Sequence, residues 1–192
     1  MIIGIIDCGG ANLNSIYYSF KRLGINTVIS NSKNELSGLD AYVLPGVGSA
    51  NAVMQCLRDK SLIDFIKNIT KPVLGICIGM QIMYEYSEEG DTQCLGIIDG
   101  KIKKFKSDKS LTVPQMGWNK LVCNDDLKSL NGHYYYANSF YTDSTDSAMG
   151  YTEYGVNYTS LVKKNNFIGC QFHPEKSSVS GEKFLQYFLT TK

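Results

Sequence analysis

The sequence predicts an α/β protein: a doubly wound, mostly parallel sheet with a mixed or antiparallel C-terminal extension. Three observations carry this. Short apolar runs alternate with amphipathic stretches as far as Gly90, the signature of βα units. The first run, Ile2 to Ile6, is apolar at nearly every position, as a strand buried on both faces must be. After Gly90 strand-like segments follow one another with turn-rich joints and little helical pattern.

The elements follow in order. Asp7-Cys8-Gly9-Gly10 ends the first strand, and Asn14 or Ser15 can cap a helix reaching about Arg22, with Ile16, Phe20 and Leu23 inward and Gly24 as its stop. Thr27-Val28-Ile29 and Ala41 to Leu44 read as the second and third strands, the latter closed by Pro45. Helices are expected over Ala50 to Arg58 and Leu62 to Ile69, then a buried strand from Pro72 to Ile76. A helical pattern follows, with Ile78, Ile82 and Tyr84-Glu85 placed to give it an apolar face. The extension is expected to contain strands at Lys101 to Phe105, Lys120 to Cys123, Tyr134 to Ser139, Met149 to Tyr154, Leu161 to Lys164 and Phe167 to Phe172. Ser178 to Leu189 closes as a helix with Phe184, Leu185 and Phe188 inward. The alternating aromatics Tyr134-Tyr135-Tyr136 suit half-buried strand packing, and His133, beside Gly132, reads as a loop residue without a role.

Composition narrows the function. The 192 residues suit one domain, 1–192, with a central sheet covered on both faces. A net charge of +1 and the lack of a basic run point away from nucleic acid and from anionic membranes. No apolar stretch approaches the roughly 20 residues of a membrane span. Met1 to Asp7 reads as a strand, not a signal peptide. Six scattered cysteines without a Cys-x-x-Cys pair are expected to be reduced thiols of a cytoplasmic protein. No cysteine–histidine cluster suggests a metal, and no cofactor is expected.

The most informative stretch is Gly75-Ile76-Cys77-Ile78-Gly79. A strand breaks at a cysteine, a helix follows, and glycines stand two residues to either side, as in a nucleophile elbow. Side chains at Gly75 and Gly79 would collide with neighbouring strands in so sharp a turn. The cysteine would sit at a strand's carboxyl end and at a helix N-terminus, which favours thiolate. By itself the stretch fits a buried core cysteine equally well. Gln171-Phe172-His173-Pro174-Glu175 supplies the rest of a nucleophilic site. A cysteine nucleophile needs a base, and the base needs an orienting group. If the segment is extended, His173 and Glu175 face the same way, and Pro174, without a backbone donor, fits a strand end.

Together these motifs resemble the triad-type, class I glutamine amidotransferases. Within that family the chain is similar to the glutaminase subunits of imidazole glycerol phosphate synthase through Ile5-Ile6-Asp7, Pro45-Gly46-Val47-Gly48, Ser87-Glu88-Glu89-Gly90, Met116-Gly117-Trp118-Asn119 and Glu175 to Ser177. The resemblance runs from Met1 to the C-terminal helix. It implies a flavodoxin-like fold and hydrolysis of L-glutamine by Cys77, His173 and Glu175. Oxyanion donors are implied at Ile78 and in the Gly46-Val47-Gly48 loop, and glutamine contacts at Gln81, Glu89, Ser139 and Phe140. A (β/α)8-barrel synthase subunit is the implied partner, forming a heterodimer with an ammonia passage, and Gln115, Met116, Trp118 and Asn119 are the implied interface.

Plainer alternatives accompany several of these residues. Glu89 can be a surface charge, Gly46-Val47-Gly48 a simple tight turn and Trp118 a core residue. The chain departs from the resembled family at Gln115, where histidine is usual, and at Asn138-Ser139-Phe140, where His-Ser-Tyr is usual. Those departures leave open a paralogue that supplies ammonia to a sugar amidotransferase. A catalytically silent regulatory subunit and another elbow-cysteine hydrolase are the alternatives of different kinds.

Overall fold

The computed structural model describes residues 1–9, 12–46, 48–107, 111–143 and 145–191. The first half runs β1 (Ile2–Ile6), α1 (Leu13–Arg22), β2 (Asn26–Ser30), α2 (Lys33–Leu36), β3 (Ala41–Leu44), α3 (Ala50–Asp59), α4 (Ile63–Lys67), β4 (Val73–Ile76) and α5 (Ile78–Gln81). The second half is mostly strand: β5 (Tyr86–Ser87), β6 (Thr92–Gln93), β7 (Lys101–Lys104), β8 (Gln115–Cys123), β9 (Gly132–Asn138), β10 (Phe140–Tyr141), β11 (Ala148–Tyr154), β12 (Val156–Lys164) and β13 (Phe167–Cys170). Short 3-10 segments cover Asp125–Leu130 and Pro174–Lys176, and α6 (Ser178–Thr190) follows.

One nine-stranded sheet has the order β2-β1-β3-β4-β13-β12-β11-β8-β9. The first five strands pair in parallel, in the flavodoxin-like 2-1-3-4-5 arrangement, with β13 taking the fifth place. From β13 outward every pairing is antiparallel. A smaller sheet, β10-β7-β5-β6, stands beside it. Strands β3, β4 and β13 are buried at every residue, which explains why they read as unbroken apolar runs. Because β1, β3, β4 and β13 are parallel, their carboxyl ends share one edge, where ligands of such sheets bind. Among the described residues no helix is long and apolar enough to cross a membrane.

Several expectations are corrected. Helix α1 begins earlier than Asn14, after Asn12 at φ 81°, and the Asn12 side chain bonds elsewhere instead of capping it. Helix α5 is a single turn. Beyond it the carbonyls of Ile82, Met83 and Tyr84 accept hydrogen bonds from Leu95, Ile97 and Gly96 at 2.8 Å, so helical bonds cannot continue, and Glu85 is exposed. Strand β13 stops at Cys170, and Pro174 opens a 3-10 turn, so His173 and Glu175 are not on an extended strand. His133 lies in β9, exposed and paired with Lys120, not in a loop.

Candidate active site

The carboxyl ends of β1, β3, β4 and β13 bring distant residues together. Cys77 is held at φ 52°, a conformation that non-glycine residues rarely adopt, between β4 and α5. Its backbone N–H donates to the Cys170 carbonyl at 2.8 Å, tying the elbow to β13. The flanking glycines are steric necessities. A Cβ on Gly79 would run into the Leu44 carbonyl of β3, a neighbouring strand as expected. A Cβ on Gly75 would instead meet the Gly79 carbonyl oxygen of α5 and Met83 Cε, both at 2.6 Å. Gly46 presses on the elbow from the β3 side, where a Cβ would lie 2.7 Å from that of Cys77.

His173 and Glu175 reach the site from the turn after β13. His173 Nδ1 lies 2.8 Å from Glu175 Oε1, and the same oxygen accepts from Asn12 Nδ2 at 2.9 Å. Cys77 is the ring's other electrostatic partner. The turn is locked from below. Ser177 Oγ donates to the His173 carbonyl at 2.6 Å and accepts from the Tyr135 N–H at 2.9 Å. Phe172 packs 4.1 Å from the Tyr134 ring centroid and 5.0 Å from that of Phe184.

Electrostatics prepare the pair for chemistry. Burial alone would strip the proton from His173, but the charge and hydrogen bond of Cys77, with those of Glu175, outweigh it and push the imidazole up to about 10. Together, Cys77 and Glu175 favour the charged form of the ring. Burial pushes the thiols of Cys8, Cys94 and Cys123 up to about 12, 11 and 11, and that of Cys170 well above its ordinary value. These four are poor nucleophiles near neutrality.

A cavity of about 230 Å³ opens beside Cys77, lined in part by Gly48, Ile78, Gln81, Glu89, Ser139 and Phe140. That is below the roughly 300–1,000 Å³ of drug-sized sites and suits a small ligand. Gln81 donates through Nε2 to the Phe140 carbonyl at 3.2 Å and to Gln171 Oε1 at 2.9 Å, and its own Oε1 is buried without a partner among the described residues. Glu89 is no loose surface charge: its Oε2 accepts from the Ala50 N–H at 2.7 Å, at the start of α3. Val47 lies outside the described residues. A larger hollow, about 1,050 Å³, spans the exposed face of β8, β11 and β12, but its lining, including Asn119, Lys120 and Tyr151, holds no cysteine, serine or histidine.

The expected interface residues divide. Met116 and Trp118 are 71% and 55% exposed on one face of β8, so Trp118 is not a core residue. Asn119 points elsewhere and donates to the Glu153 carbonyl at 2.9 Å. Gln115 is corrected: it is 2% exposed, and its Oε1 accepts from Tyr158 at 2.8 Å, so it offers a partner no surface. Asn138, its antiparallel neighbour, is buried as well and donates to the Phe140 carbonyl at 3.0 Å. Gln115 and Asn138 are thus interior substitutions, whereas Phe140 is half-buried and lines the cavity beside Cys77. Sequence reading missed Asn12 and Gln171. Asn12 had a signal, since it follows the carboxyl end of a parallel strand. Gln171 sits inside the Gln-Phe-His-Pro-Glu stretch, but nothing in its spacing says where it points.

Comparison with known proteins agrees with this geometry. Residues 4–191 match the glutamine amidotransferase class-I family. The chain is 44% identical to the imidazole glycerol phosphate synthase subunit HisH of Haemophilus influenzae over 97% of its length and 96% of the relative's. It is 42% identical to the subunit HisH 2 of Campylobacter jejuni, covering 98% of each. A crystal structure of a glutamine amidotransferase superposes with a TM-score of 0.79 at 17% identity, covering 98% of this chain and 97% of that one, a likeness of fold. The chain belongs to the class-I glutamine amidotransferase family, and within it to the HisH subunits of imidazole glycerol phosphate synthase.

Proposed function

We propose that this chain is the glutaminase subunit of an imidazole glycerol phosphate synthase. It hydrolyses L-glutamine to glutamate and ammonia and passes the ammonia to a (β/α)8-barrel subunit that makes imidazole glycerol phosphate and AICAR in histidine biosynthesis. The observation that carries the chemistry is the strained Cys77 brought to one site with His173, whose Nδ1 is held by Glu175.

Cys77 attacks the side-chain amide carbon. His173 gives its proton to the departing ammonia, and the acyl-thioester is then hydrolysed with the ring acting as base. Glu175 fixes the tautomer and stabilises the imidazolium, while Asn12 fixes Glu175. Backbone N–H groups of Ile78 and of the Gly46-Val47-Gly48 loop receive the oxyanion, and each such donor is worth about 3–4 kcal/mol of barrier. Gln81, Glu89, Ser139 and Phe140 seat the substrate in the small cavity. The exposed Met116 and Trp118, with Asn119 beside them, form the partner contact, and an exposed aromatic is a suitable anchor. The pair works as a heterodimer in the cytoplasm, and residues 1–192 serve as one glutaminase domain.

Glutamine hydrolysis by the purified chain, with and without the histidine-pathway barrel and its imidazole-precursor nucleotide, tests the assignment. Strong stimulation by barrel plus nucleotide is expected. Stimulation only by a different barrel or a sugar amidotransferase would reassign the pathway, and no hydrolysis with any partner would overturn the glutaminase reading.

A further inference from the structure

Gln171 is 1% exposed and lies two residues before the base. Its Nε2 is 3.5 Å from Cys77 Sγ, and its Oε1 accepts from Gln81 Nε2 at 2.9 Å. The direction of this chain is forced. The Phe140 backbone carbonyl can only accept, and it lies 3.2 Å from the Gln81 amide. Gln81 must therefore present its NH2 group there. The same NH2 group meets Gln171, which must answer with oxygen, leaving only the Gln171 NH2 group to face the sulfur. Turning either amide round would set oxygen against oxygen at one end, or oxygen against a sulfur anion at the other.

We propose that Gln171 is a positioning residue for the nucleophile: its side-chain amide, oriented through Gln81 by the Phe140 carbonyl, donates a hydrogen bond that holds and stabilises the Cys77 thiolate. The inference deepens the glutaminase reading and rests on Cys77 being the nucleophile. A hydrogen bond to an ionised group favours that ionised form, and burial strengthens the effect. The same chain joins the substrate cavity to the sulfur, because Gln81 lines that cavity and Gln171 does not. Other titratable groups surround the sulfur: His173 with Glu175 behind it, Cys170 and Tyr158. Burial raises Cys170 and Tyr158 well above their ordinary values, so both stay protonated near neutrality. Gln171 does not titrate, so its removal reports the hydrogen bond alone.

The test is the pH profile of iodoacetamide alkylation at Cys77, followed by peptide mass spectrometry, in the parent chain and in Gln171→Leu and Gln171→Glu. Neither glutamine nor a partner is needed. Gln171→Leu is expected to move the midpoint to higher pH by about one unit, the size of one lost hydrogen bond to a charged group. The isosteric Gln171→Glu, which brings an anion to the sulfur, is expected to move it further. An unchanged profile in folded variants would overturn the proposal. Should both variants fail to fold, the parent supplies the answer: the Gln171 side-chain amide resonance is expected to titrate together with Cys77 and to stop doing so in Cys77→Ser. A resonance indifferent to both would overturn the proposal equally. A Cys77 that never alkylates in the parent would instead overturn the nucleophile reading, and the proposal with it.

Discussion

Strands β3, β4 and β13 bury every residue, whereas β8, at the far side of the same sheet, leaves Met116, Trp118 and Val122 open on one face. The centre of the parallel half is enclosed on both faces, so its loops are clamped by close backbone contacts and can hold Cys77 in a strained conformation. The antiparallel extension has a free face and suits contact with another molecule. Under the proposed function, chemistry and docking fall to the two kinds of sheet that physically suit them.

The difference can be broken experimentally, starting where the effect is largest. Cys77→Ser should abolish glutamine hydrolysis and leave partner binding unchanged. Loss of binding would mean that the two halves are not separable. The same variant should lower the titration midpoint of His173, since the charge and hydrogen bond of Cys77 hold it up. With only two histidines in the chain, NMR of the imidazole resonances can follow it. The sign for stability follows. A folded value raised from about 6.5 to about 10 gives a contribution complete below 6.5 and lost as pH rises toward 10.

Gly79→Ala is next. Its methyl group would meet backbone, which cannot swing away, so a loss of about 3 kcal/mol or more is expected in chemical denaturation. Trp118→Ala should weaken partner binding by about 2 kcal/mol while changing stability by no more than about 0.5 kcal/mol. An unchanged dissociation constant would move the docking face elsewhere. The sharpest contrast uses one substitution twice. Val43→Thr buries a hydroxyl in β3 and should cost about 1–3 kcal/mol, while Val122→Thr, at a residue 48% exposed, should stay within about 0.5 kcal/mol. Equal costs would show that the extension's face is already covered in the free chain.

The same contrast explains what could be read from the sequence. Strands β1, β3 and β4 were legible because burial on both faces writes an unbroken apolar run. The cysteine elbow and His-Pro-Glu were legible because steric need and chemistry restrict each position. Strand β12 extends back to Val156, well before the expected Leu161, because buried hydroxyls replace hydrocarbon: Ser160 bonds Thr152 at 2.7 Å, and Thr152 bonds Tyr136 at 2.6 Å. Strands β5, β6 and β10 have two residues each, too few to show a period. The pairing of His173 with Glu175 was anticipated through the wrong backbone, since a 3-10 turn delivers what an extended segment was expected to deliver. Asn12 and Gln171 act through partners 163 and 94 residues away, a relation local pattern cannot express.

Strand β13 lies between β4 and β12 in the sheet, yet it is synthesised after both. The parallel strands and the antiparallel meander can each begin to form first, but β4 and β12 share no neighbouring strand until Phe167–Cys170 is made. The residues that follow immediately carry the base and its acid. A nascent chain that already displays the Cys77 elbow therefore has no proton donor for a leaving amine. The strand that completes the sheet therefore also delivers the base and the acid that serve Cys77.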